Sequence, residues 1–117
     1  MNIEYYYKKI DPLDNNARDY IEKKLKSIAK ITRVRDVFIE ISQRKDNHFY
    51  MNVTLRTTDG EEYRAEEKNK TINACIDIIK DDLKRQVQSD KERARDLARR
   101  KGRSLKKKMT IDDDARI

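Results

Sequence analysis

A chain of 117 residues is long enough for one domain and little more. With 29 Lys plus Arg against 22 Asp plus Glu, the formal net charge is +7 and the sequence pI is near 9.5. That excess of cations is the footprint of a nucleic-acid binder. Apolar residues are only 36% and charged residues 44%, so a core must come from a few well-patterned elements. A single cysteine, Cys75, excludes an internal disulfide framework.

Ile3, Tyr5 and Tyr7 alternate with Asn2, Glu4 and Tyr6, a period-2 pattern that predicts a first strand with its apolar side inward. Asp11-Pro12 breaks it, and Leu13 to Ile31 then reads as a helix. Ala17, Ile21, Leu25 and Ile28 face inward there, and Lys23, Lys26 and Lys30 share the far side. Val37, Ile39 and Ile41 alternate with Phe38, Glu40 and Ser42. After Arg44-Lys45-Asp46-Asn47, Phe49, Met51, Val53 and Leu55 alternate with Tyr50, Asn52, Thr54 and Arg56, which predicts a hairpin. Asp59-Gly60 signals a tight turn, and Glu62 to Glu66 makes a fourth strand with Tyr63 and Ala65 inward. A second helix starts near Lys70-Thr71, with Ile72, Ile76, Ile79 and Leu83 at helical spacing. Lys80, Lys84, Lys91 and Arg95 fall beside them on one strip roughly 60° wide.

The order is β-α-β-β-β-α, an α+β fold expected as a four-stranded, mainly antiparallel sheet with both helices packed on one face. The apolar stripe thins after Val87. Residues 1–88 are therefore expected to form the domain and residues 89–117 a basic extension, helical at first, disordered by Gly102 and ending on Asp112-Asp113-Asp114. The start of the chain lacks the pattern of a signal peptide, and no apolar stretch approaches the ~20 residues of a membrane span. The expectation is a cytoplasmic protein with no membrane partner.

Catalytic chemistry has no support in the sequence. The sole histidine, His48, and Cys75 are far apart and provide neither a zinc ligand set nor a nucleophile and base. Cys75 sits on the apolar helix face, where a thiol behaves as a small hydrophobe. Two glycines cannot build a phosphate-cradling loop, and the neighbouring carboxylates Asp81-Asp82 and Glu66-Glu67 read as solvated charge. No metal, cofactor or small-molecule substrate is expected. Among the tyrosines, only Tyr6 and Tyr50 are placed to stack bases outward, so the helices are the better RNA face.

Three segments carry a family resemblance: A-R-D-Y-I-E-K-K-L at Ala17 to Leu25, T-T-D-G-E-E-Y-R-A-E-E at Thr57 to Glu67, and I-N-A-C-I-D-I-I-K-D-D-L-K-R-Q-V at Ile72 to Val87. Over Asn2 to Gln88 the chain resembles the ribosome hibernation-promoting factors and ribosome-associated translation inhibitors, also called the sigma-54 modulation family. The resemblance implies a double-stranded-RNA-binding-like fold. It also implies a stress-response or stationary-phase role in which the domain sits in the small ribosomal subunit over the mRNA channel and tRNA sites, contacts rRNA, and inhibits translation. Arg18, Lys24, Arg64 and Arg85 fall where that family is typically basic, and they join the two lysine stripes as expected rRNA contacts. Asn73 stands where the family usually has tyrosine, and Asp82 where it usually has lysine, with Lys80 or Lys84 available as neighbouring substitutes. The length leaves no room for the family's long-form dimerisation domain, so a monomer off the ribosome is expected. Two competing readings are a general double-stranded RNA-binding module and a protein-interaction regulator of transcription, the latter needing no basic face.

Overall fold

The computed structural model describes the backbone of residues 1–111 and the side chains of residues 1–95. The elements follow the predicted order: β1 (Asn2–Lys8), α1 (Asn15–Ala29), β2 (Val34–Gln43), β3 (Phe49–Thr57), β4 (Glu62–Asn69) and α2 (Ile72–Ile111). The strands form one sheet in the spatial order β1-β2-β3-β4. β2 with β3 and β3 with β4 pair antiparallel, while β1 pairs with β2 in parallel. A parallel pair needs a crossover, and α1 supplies it.

Strand register aligns the inward residues in rows across the sheet. Tyr5 pairs with Ile39, Ile39 with Val53, and Val53 with Ala65, all on the face that meets the helices. Ile21, Leu25 and Ile28 of α1 and Ile76, Ile79 and Leu83 of α2 are fully buried in one cluster with Val37, Ile41, Met51 and Leu55. One shared cluster requires both helices on the same side of the sheet. Each such aliphatic side chain contributes about 1.5–3 kcal/mol by leaving water. Within residues 1–87 the opposite sheet face carries no helix, and Tyr6 is 66% and Phe38 37% exposed.

Side-chain caps set the helix starts. Asp14, extended at φ −74° and ψ 175°, accepts from the Ala17 amide at 2.8 Å, so α1 begins at Asn15 and not at Leu13. Thr71 accepts from the Ala74 amide at 3.0 Å and starts α2 one residue later than expected. The β3–β4 turn places Gly60 at φ +89°, a left-handed conformation that suits glycine.

The chain divides into two compact units, Met1–Val87 and a second that begins at Gln88. The backbone of α2 is helical through Gly102 to Ile111. Lys, Arg, Leu and Met are good helix formers, and one interior glycine costs only about 1 kcal/mol. Asp112-Asp113-Asp114 lie outside the described residues. No described helix is long and apolar enough to cross a membrane.

Candidate nucleic-acid interface

Helical geometry divides the candidate bases into groups. On α1, Lys23, Lys26 and Lys30 lie opposite the buried Ile21, Leu25 and Ile28; all three are exposed and have no ion-pair partner among the described residues. They form a crest of free cations along the outer side of the helix. Lys26 and Lys30 also sit at its C-terminal end, where the helix dipole favours positive charge.

Lys24 lies about a quarter-turn away and faces α2. Its ammonium is 3.4 Å from Asp77 and 5.1 Å from the centroid of the Tyr20 ring, and the Tyr20 hydroxyl donates to Asp77 at 2.7 Å. Asp77 therefore ties α1 to α2. Its charge pushes the Lys24 ammonium above the usual lysine range, and its hydrogen bond raises the Tyr20 phenol.

On α2, Asp77, Lys80 and Lys84 fall within one strip roughly 60° wide. Because Asp77 touches α1, that strip borders the groove between the helices. Lys80 and Lys84 are half-buried along their stems; Lys80 reaches Asp81 at 3.1 Å, and Lys84 has no ion pair among the described residues. Two lysines one helical turn apart beside the groove suit a row of phosphates. Lys91 and Arg95 belong to the second unit and are exposed.

The remaining candidates are not brought to this groove. Arg18 lies on the flank of α1 that carries Glu22, whose carboxylate accepts from Tyr5 of the β1 edge at 2.9 Å; its guanidinium donates to Asn15. Arg85 lies on the outer side of α2, opposite the buried Ile76 and 3.8 Å from Asp82, and on the flank beyond it Gln86 donates to the Arg64 carbonyl at 2.9 Å. Asp82 is thus partnered by Arg85 and Gln86, the latter at 3.3 Å. Arg64 itself points from β4 to the uncovered sheet face, 3.4 Å from Asn52. Periodicity within one element cannot assign these faces, because they depend on which neighbour each helix flank meets.

Sequence reasoning also misses Asp77, whose role arises only when two helices distant in sequence meet. Tyr50, expected as an outward stacking ring, is occupied: its hydroxyl donates to Glu66 at 2.6 Å and the Arg44 guanidinium lies 4.5 Å from its centroid. Phe38 is an exposed ring that strand alternation alone does not single out, with Arg56 at 5.5 Å. The Cys75 thiol lies 3.6 Å from the Phe49 carbonyl, and burial pushes it up to about 11, too high for a nucleophile near neutrality. No cluster of metal-ligating side chains occurs among the described residues.

The comparisons agree with this architecture. Residues 3–95 match the family model described as Sigma 54 modulation protein / S30EA ribosomal protein. The Thermus thermophilus Protein Y N-terminal domain superposes with a TM-score of 0.66 at 24% identity, covering 76% of this chain and 98% of its own. A ribosomal subunit interface protein from Coxiella burnetii gives a TM-score of 0.66 at 16% identity, covering 79% of this chain and 99% of its own. No curated protein matches the chain significantly.

Proposed function

Since the chain belongs to the Sigma 54 modulation protein / S30EA ribosomal protein family, whose members are ribosome-associated factors and not enzymes, we propose that it is a hibernation factor of the small ribosomal subunit. It lodges in the mRNA channel and over the tRNA sites and blocks translation by occupying that space. The observation that carries this reading is the basic surface built by the two helices: the free crest of Lys23, Lys26 and Lys30 beside the groove that Lys80 and Lys84 border. Each rRNA phosphate met by such a cation releases condensed counterions, so affinity falls steeply with salt. Family membership, together with the likeness to a ribosomal subunit interface protein from Coxiella burnetii, supports the ribosome as the partner.

In this reading residues 1–88 are the ribosome-binding domain, and the basic extension, residues 89–117, adds Lys91, Arg95 and a sequence-independent electrostatic contribution. Lys24 serves mainly to hold the helices together through Asp77. Arg18, Arg64 and Arg85 meet rRNA from other sides, as a domain lodged in a channel allows. The factor acts in the cytoplasm as a monomer and needs no cofactor.

Displacement tests the proposal. Labelled tRNA bound to purified small subunits should be released as the protein is added at about 0.1 M salt, with release fading as salt rises. A ternary complex that retains the tRNA would refute occlusion. A model RNA duplex that competes as well as small subunits would favour a general duplex-binding module.

A further inference from the structure

The strand register assembles a second basic surface that no single segment of sequence displays. Lys8 pairs with Ser42, Ser42 with Tyr50 and Tyr50 with Lys68, one row across all four strands on the face away from the helices. At strand spacings of about 4.8 Å, the two lysine backbones lie roughly 14 Å apart. Lys9 follows at the end of β1, held at φ +58°, and the β2–β3 hairpin brings Arg44 and Lys45 to the same end. Together they line a concavity of about 510 Å³ with only two carboxylates, Glu40 and Asp46.

These charges differ in availability. Asp46 is bound by Lys68 at 2.9 Å, and that hydrogen bond holds its carboxyl down at about 2, so it stays ionised and engaged. Lys8, Lys9 and Lys45 have no ion-pair partner among the described residues. The Arg44 guanidinium lies over the Tyr50 ring, 4.5 Å from its centroid. The hairpin beneath is closed by the Arg44 amide donating to the His48 carbonyl at 2.7 Å and the Asn47 amide donating to the Arg44 carbonyl at 3.1 Å. Asn47 adopts φ +64°, and the His48 amide donates to Asp46 at 3.2 Å. A loop tied in this way loses little conformational freedom on binding.

We infer that this hairpin end of the open sheet face is a second RNA contact, with Lys8, Lys9, Arg44 and Lys45 taking the phosphodiester backbone of an RNA strand distinct from the one met by the helices. The choice of RNA as the polyanion rests on the ribosomal reading; the excess of unpaired cations does not. Phosphates are suited because the site offers several donors at fixed spacing and no deep apolar pocket for a side chain or a base. The domain then grips RNA on two opposite faces.

The test uses the full chain and a fluorescein-labelled 12-nucleotide oligouridylate, read by anisotropy from about 0.05 to 0.3 M salt. The variant Lys8→Gln/Lys9→Gln/Lys45→Gln should bind roughly tenfold or more weakly, with a salt slope shallower by about 2, as expected for three lost single-strand phosphate contacts. Its melting temperature should be unchanged, because all three side chains are exposed. Unchanged affinity and slope would overturn the inference, as would binding of polyglutamate as tight as that of the oligouridylate. Co-sedimentation of Lys80→Gln/Lys84→Gln with small subunits separates the two ideas. Wild-type behaviour there counts against the helix groove while leaving the hairpin result to stand by itself.

Discussion

Replacing Asp77 with Asn should move stability and RNA affinity in opposite directions. In the folded chain Asp77 accepts from the Tyr20 hydroxyl at 2.7 Å and lies 3.4 Å from the Lys24 ammonium. Asparagine keeps one acceptor for Tyr20 but turns a charged hydrogen bond into a neutral one, a loss of about 1 kcal/mol. The ion pair, with side chains 29% and 46% exposed, is screened by solvent and adds little. A loss of about 1 kcal/mol corresponds to a drop in melting temperature of roughly 4–8 °C for a domain of this size. Meanwhile a negative charge leaves the helix groove and Lys24 is freed. Binding to small subunits should therefore strengthen, with a salt slope steeper by about 0.9 if Lys24 takes one phosphate. Circular dichroism melts and co-sedimentation at two salt concentrations read both effects. A variant that melts like wild type would show that Asp77 does not tie the helices. One that is fully folded at the assay temperature yet binds more weakly would show that the groove does not face RNA.

Ile76→Ala empties a fully buried site between α2 and the sheet, and should cost roughly 2–5 kcal/mol, at least about 8 °C in melting temperature; a shift under about 2 °C would mean that the site collapses or is not core. Burial, with the hydrogen bond to Glu22, raises the Tyr5 phenol. A raised folded value means that this contribution is complete below the unfolded value near 10 and is lost as pH rises above it. Tyr5→Phe should therefore flatten the alkaline decline in stability measured from pH 9 to 12, without abolishing it, because Tyr20 and Tyr50 are raised as well. Deleting residues 97–117 should weaken small-subunit binding and flatten its salt slope at unchanged melting temperature of the Met1–Val87 unit; a full-length slope in the truncated chain would leave the extension without an electrostatic role.

Elements with one buried face are the legible ones. Ile21, Leu25 and Ile28, or Val37, Ile39 and Ile41, announce their inward side because helix and strand periods are fixed by backbone geometry. The parallel partnership of β1 with β2 is not legible in this way, since local alternation is the same for either pairing direction. The crest of Lys23, Lys26 and Lys30 can be read from one helix alone. Its neighbour Lys24 cannot, because its tie to Asp77 spans 53 positions of sequence and exists only after both helices have docked. Arg64 and Arg85 show the same limit from the other side: a residue type that fits the resemblance says nothing of the face on which it lands. The hairpin-end cations are the extreme case, drawn from three segments and united only by strand register.

The central claim is that the helix face holds the small ribosomal subunit through its cations. Lys80→Glu/Lys84→Glu/Lys91→Glu, compared with wild type by co-sedimentation with purified small subunits at about 0.1 and 0.3 M salt, tests it most directly. These side chains are exposed or only half-buried, so the fold should survive, as an unchanged circular dichroism spectrum would show. The expected result is loss of the variant from the subunit fraction at both salt concentrations, with wild type bound at the lower and largely released at the higher. A folded variant that co-sediments like wild type would contradict the claim.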